Sequence, residues 1–112
     1  MIRRAASLLA LGALAACSSG EETQPPKGDP IECALGAGAE FVPVCIYDYR
    51  ETDNQIVVWH PDGGFRRFNV LPGGAGVTSA DGAEDVIQGL MGGMLEVTVG
   101  DDRYRLPTKP VQ

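Results

Sequence analysis

Leu95-Glu96-Val97-Thr98-Val99-Gly100-Asp101-Asp102-Arg103-Tyr104-Arg105-Leu106 decides the fold class of this 112-residue chain. Leu95, Val97 and Val99 alternate with Glu96 and Thr98; beyond the Gly-Asp-Asp step, Tyr104 and Leu106 alternate with Arg103 and Arg105. A period of two sends apolar side chains to one face of a strand and polar ones to the other. The stretch therefore predicts an antiparallel hairpin with one buried face, turning over Gly100 to Asp102. Its outer face carries Glu96 and Thr98 beside the two arginines, an arrangement suited to cross-strand charge pairing.

The same alternation recurs upstream. Gln55 to His60 and Gly64 to Leu71 are rich in β-formers, and Pro61-Asp62-Gly63-Gly64 supplies the turn between them. Phe41 to Tyr49 reads as another strand, with Pro43 placed near an edge or a bulge because proline cannot donate to a ladder. Glu51 to Asn54 turns the chain into the Ile56 strand. Val77-Thr78 forms a short piece between the turns Pro72 to Gly76 and Ser79 to Gly82. Ala83 to Leu90 admits a helical turn capped by Asp81, but Gly89, Gly92 and Gly93 oppose it, so a short strand over Val86 to Gln88 is preferred. Five to seven short strands define a mostly β fold, a small antiparallel meander forming a sandwich or partly closed barrel.

The N-terminus has a different character. Arg3 and Arg4 precede a small, apolar run from Ala5 to Ala16, too short for a spanning helix of roughly 20 residues and laid out as a signal peptide over residues 1–16. Leu14-Ala15-Ala16-Cys17 resembles the lipobox of bacterial lipoproteins. The resemblance implies that Cys17 is acylated on sulfur, becomes the mature N-terminus and holds the protein to membrane lipid. Residues 17–30 contain no large apolar side chain before the domain and read as a flexible tether, about 20 Å from end to end. The β-domain occupies residues 31–112. Ser18 after Cys17 is compatible with the outer membrane, so the expected location is the bacterial cell envelope, facing the periplasm.

With Cys17 taken by lipid, Cys33 and Cys45 remain, and the compartment is oxidising. Eleven residues separate them, unlike Cys-x-x-Cys, and no neighbouring histidine or third cysteine completes a zinc site. A structural disulfide is expected, contributing about 3 kcal/mol by loop closure. The chain carries a formal charge of −6, and two of its nine basic residues lie in the signal. An acidic mature surface argues against nucleic acid and admits a basic partner.

No arrangement of catalytic residues stands out. His60 is the single histidine; a triad with Ser79 and Asp62 would place it against a turn proline, with Ser79 outside any Gly-x-Ser-x-Gly setting. Asp81-Gly-Ala-Glu-Asp85 lacks oxygen ligands where a calcium loop needs them. Gly73 to Gly76 lacks the Lys-Ser/Thr of a phosphate loop. Arg66 and Arg67 occupy successive strand positions, so they face opposite sides; Phe68 and Val70 pack inward, one arginine covers the core and the other meets solvent. Trp59 is expected as a core anchor. No enzyme activity, cofactor or metal is expected.

Cys33-Ala-Leu-Gly36, a second Cys twelve positions on, His60-Pro-Asp-Gly-Gly-Phe-Arg-Arg-Phe68, Asp81-Gly-Ala-Glu84 and Asp102-Arg-Tyr-Arg-Leu-Pro107 recur together. This set resembles an uncharacterised family of small alphaproteobacterial lipoproteins. The likeness covers nearly all of the mature domain and supports its limits and the Cys33–Cys45 pair, but implies no activity. Two functions follow as expectations. One is a non-catalytic envelope interaction module binding a protein or glycan through a strand edge or sheet face. The alternative is a periplasmic inhibitor of a basic enzyme such as a muramidase, although the Ser-Gly-rich loop of the lysozyme-inhibitor lipoproteins has no clear counterpart here.

Overall fold

The computed structural model of the protein describes residues 27–82 and 84–110. The stretch read as a signal peptide, Cys17 and most of the stretch read as a tether lie outside the described residues. Eight strands follow in order: β1 (Asp29–Ala34), β2 (Val42–Arg50), β3 (Gln55–Trp59), β4 (Phe65–Val70), β5 (Val77–Ser79), β6 (Val86–Met91), β7 (Met94–Val99) and β8 (Asp102–Pro107). They form one antiparallel sheet in the order β5-β4-β3-β2-β1-β8-β7-β6. The sheet curls into a nearly closed barrel, so the sandwich expectation gives way to the barrel.

Chain neighbours pair throughout with one exception. β1 to β5 form one meander, β6 to β8 another, and the first and last strands join them through Cys33 opposite Tyr104 and Ala34 opposite Arg103. The missing pair is β5 with β6, so the seam of the barrel falls in mid-sequence rather than between the chain ends.

The decisive hairpin forms as the alternation requires. Val97 lies opposite Tyr104 and Leu95 opposite Leu106, and Val97, Val99, Tyr104 and Leu106 are fully buried. The loop is the two residues Gly100 and Asp101, with positive φ at Gly100 alone, the pattern of a type II′ turn. On the outer face Arg105 pairs with Glu96 at 3.6 Å and with Glu32 at 2.8 Å. The β6–β7 turn uses Gly92 and Gly93, both at positive φ as in type I′. In β4, Phe68 is buried and Val70 packs against the core. Pro43 sits beyond the end of the β2–β3 ladder, beside the register shift between Ile31 and Cys33, where no ladder donor is required.

The Cys33–Cys45 disulfide is present, its Cα atoms 6.0 Å apart. Both cysteines belong to the core, with Ile31, Tyr47, Ile56, Val58, Phe68 and Val77. The bond ties β1 to β2 from inside the barrel.

Three expectations change. β1 has no counterpart in the sequence reading, and it begins at Asp29, so Asp29 and Pro30 at the end of the stretch read as tether pair with Tyr47 and Ile46. Proline is admissible there because it lies at a strand start. β6 extends to Met91, beyond Gln88, and no α-helix occurs among the described residues. Trp59 is not a core residue: Ile56 and Val58 point inward, so the two-residue period turns Val57 and Trp59 to the outer face. There Trp59 packs on Phe65, ring centroids 5.0 Å apart.

Candidate functional site

The end of the barrel formed by the C-terminus of β3 and the N-termini of β4 and β8 holds a compact polar network. Tyr104, on the inward face of β8, carries its hydroxyl to within 2.8 Å of His60 Nε2 and accepts from Arg66 Nε at 3.0 Å. Arg66 also donates to Asp102 at 2.9 Å and to Glu84 at 2.8 Å, and Asp102 accepts the backbone N–H of Gly36. Because Arg66 can only donate, the phenol proton is free to donate to His60 Nε2, which assigns the neutral imidazole with its proton on Nδ1.

The electrostatics agree with that assignment. Burial pushes His60 below the ordinary imidazole value, Asp102 and Asp62 oppose it, and Arg66 reinforces it. Burial pushes the Tyr104 phenol up to about 12 despite the nearby guanidinium. Burial also penalises the Asp102 carboxylate, but the hydrogen bonds from Arg66 and Gly36 and the Arg66 charge outweigh it and hold the group below its usual range. Arg66 is held charged well above its ordinary value: burial works against it, and its hydrogen bonds to Asp102, Glu84 and Tyr104 prevail. The network holds a protonated phenol and a neutral imidazole that serve one another. Its visible effect is to fasten β3, β4, β8 and the end of β1 together.

The residues weighed as catalytic or metal-binding are dispersed. Among the described residues no hydrogen bond joins His60 to Ser79 or Asp62; Asp62 instead accepts the N–H of Gly64 at 2.8 Å within the β3–β4 turn. Asp81 is engaged by Arg67, and Glu84 by Arg66. The two arginines do face opposite ways, Arg66 over the core and Arg67 outward. Arg103 and Arg105 lie over the ring of Phe41 at 4.8 and 3.7 Å, and Arg103 also donates to the carbonyl of Ala39, so the β1–β2 loop is clasped to β8.

The seam is where the sheet is incomplete. Gln88 crosses it: Oε1 accepts the N–H of Val77 and Nε2 donates to the Val77 carbonyl, both at 2.9 Å. The side-chain amide thus takes the place of one rung of a backbone ladder. Gly76 makes room for it, since a Cβ there would stand 2.2 Å from Gln88 Oε1. Arg66 and Glu84 form a second bridge at the start of β6. Past Gln88, Gly89 and Leu90 face the Gly74–Ala75–Gly76 loop across an open groove of about 250 Å³, which Leu95 and Thr108 also line. Ile87, Leu90 and Met91 are 70%, 72% and 56% exposed, the most exposed large apolar side chains among the described residues. An edge strand with free backbone groups and exposed apolar side chains is a template for another strand.

Comparison with family models, curated proteins and solved structures gives no match, so the functional reading rests on the geometry.

Proposed function

We propose that this protein is a non-catalytic interaction module of the bacterial envelope, held to a membrane through acylated Cys17, which meets its partner along β6. The observation that carries the reading is the exposure of Ile87, Leu90 and Met91 on a strand whose outer edge has no backbone partner. Monomeric β-proteins blunt such edges with charge, proline or a cover; beyond Gln88 this edge has glycine and apolar side chains instead.

The fitting occupant is an extended protein segment that adds as a strand, supplying backbone hydrogen bonds and apolar side chains. Charge supports a basic residue in that segment. Exposed Asp85 stands immediately before β6, and Asp29, Glu40, Glu51, Asp53, Asp85 and Asp101 have no ion pair among the described residues. Arg50, Arg66, Arg67 and Arg105 are each paired with acids.

The test is site-specific photocrosslinking in the intact envelope, with the photoreactive residue at Ile87 or, as control, at Asp53 in the β2–β3 turn. The expected result is a discrete protein adduct from position 87, absent from position 53 and abolished by Leu90→Pro, which removes an N–H that faces away from β7, with the circular dichroism spectrum retained. Equal labelling from both positions, or none from either, overturns the reading. An adduct identified as a basic muramidase would make the module an inhibitor. Incorporation of an alkynyl fatty acid that disappears in Cys17→Ser checks the anchor separately.

A further inference from the structure

The opposite end of the barrel from the His60 network contains an apolar cavity of about 460 Å³. Ile56, Val77 and Leu106, all core residues, form its floor; Val70, Leu71 and Leu95 form its walls. Asn54, Thr108 and Lys109 are the polar groups at the rim, and Lys109 has no ion pair among the described residues. The loop from Pro72 to Gly76 overhangs the opening, with Gly73, Gly74 and Gly76 all at positive φ.

We infer that this cavity binds the hydrocarbon chain of a single-chain carboxylic acid, with the carboxylate at Lys109. Eight strands leave an interior that side chains just fill or that holds one small ligand, and here the side chains fill one end while the other remains hollow. The volume lies in the range of small-molecule sites, which are mostly apolar with a few polar groups setting orientation. Filled with water, it would hold roughly fifteen molecules at about 30 Å³ each. Its floor and walls offer those waters few partners, so an alkyl chain displaces them favourably. The rim supplies one cation, Lys109, for a single carboxylate. The cavity shares Gly74, Gly76, Leu95 and Thr108 with the groove beside β6, so it opens sideways toward the seam as well as through the mouth. The two proposals are tested separately, because Val70 and Lys109 line the cavity and not the groove beside β6.

The test titrates the full chain with cis-parinaric acid, whose emission rises in a dry site, and then displaces it with palmitate. A saturable 1:1 signal, reversed by palmitate, is expected. Lys109→Glu, a change at an exposed rim position, is expected to weaken palmitate by roughly two- to fivefold, the range of an exposed ion pair, while leaving hexadecanol unaffected. Val70→Phe fills the wall and is expected to abolish the signal, with the protein's own melting transition checked alongside. Absence of saturable binding overturns the inference. So does binding that Lys109→Glu leaves unchanged for palmitate, or that survives Val70→Phe in a folded protein.

Discussion

Replacing Gln88 by Glu tests the seam without changing the size of the side chain. In the native barrel Gln88 accepts from Val77 N–H and donates to Val77 C=O, and Val77 is buried. A carboxylate keeps the first bond and loses the second. It also sets an ionised oxygen against a carbonyl oxygen that the amide formerly reached at 2.9 Å. Removing the donor and leaving a buried carbonyl unpaired costs about 1–3 kcal/mol. At neutral pH that is of the order of 4–24 °C in Tm for a domain of this size. Protonating the glutamate restores a donor, so its pKa is raised in the folded state relative to an unfolded value near 4.3. Stability is then recovered as pH falls through the raised folded value, and the deficit is fully present above it. The assay is urea unfolding of wild type and Gln88→Glu, followed by circular dichroism at pH 7.5 and pH 4, with hydrogen exchange read at the Val77 amide. Equal stability of the two proteins at pH 7.5, or a gap that does not narrow at pH 4, would refute the clasp.

Reduction of Cys33–Cys45, or its replacement by paired serines, should lower stability by about 3 kcal/mol, read as a fall in the urea midpoint without a change in secondary structure before the transition. Because His60 lies below its unfolded value near 6.5, the unfolded chain binds the proton first, and stability is fully present above pH 6.5 and declines as pH falls toward the folded value; His60→Gln should flatten the urea midpoint over that window. Asp102, also depressed, adds a separate loss below the ordinary carboxylate value, 3.8. Tyr104 should ionise near 12 rather than 10, visible at 295 nm as a late step missing from Tyr104→Phe, and stability should decline as pH rises from 10 toward 12. Arg105→Met should loosen the β1–β2 loop by removing the contact with Phe41 and the Glu32 and Glu96 pairs, seen as faster proteolysis between Leu35 and Phe41 with the core transition little changed.

Local pattern makes much of the barrel legible. Strict alternation over Leu95 to Leu106 locates the last hairpin, because one buried and one wet face leave a strand little choice of register. Cysteine number, with the oxidising compartment expected from the N-terminal run, locates the disulfide. What stays hidden depends on long-range placement. β1 escapes a reading of the sequence because Pro30 and acidic neighbours outweigh the faint alternation of Ile31 and Cys33 around Glu32. Size alone sends Trp59 to the core, whereas the phase of Ile56 and Val58 already places it on the other face. The network of His60, Arg66, Asp102 and Tyr104 draws on β4, β8 and the turn after β3 and cannot be assembled from spacing. Gln88 does leave a signal: within the run Val86 to Leu90 it occupies a position in phase with two apolar residues, where an amide needs a specific partner. Finding that partner requires knowing that β5 and β6 fail to pair.

Closure of the barrel by β1 and β8 has a mechanical consequence. β1 begins and β8 ends at the same end of the barrel, so the chain enters and leaves side by side. Tension applied ahead of Asp29 acts first on the rungs from Asp29 to Ile31, whose partners are Tyr47, Ile46 and Cys45. Those rungs can open in succession, like a zip. At Cys33 the load meets a covalent bond to Cys45 and passes into β2, which is held along five residue pairs by β3. A tug on the N-terminal side can therefore fray no more than four residues before it must shear the central sheet. Under reducing conditions the same tug would peel the first strand away and open the barrel between β2 and β8.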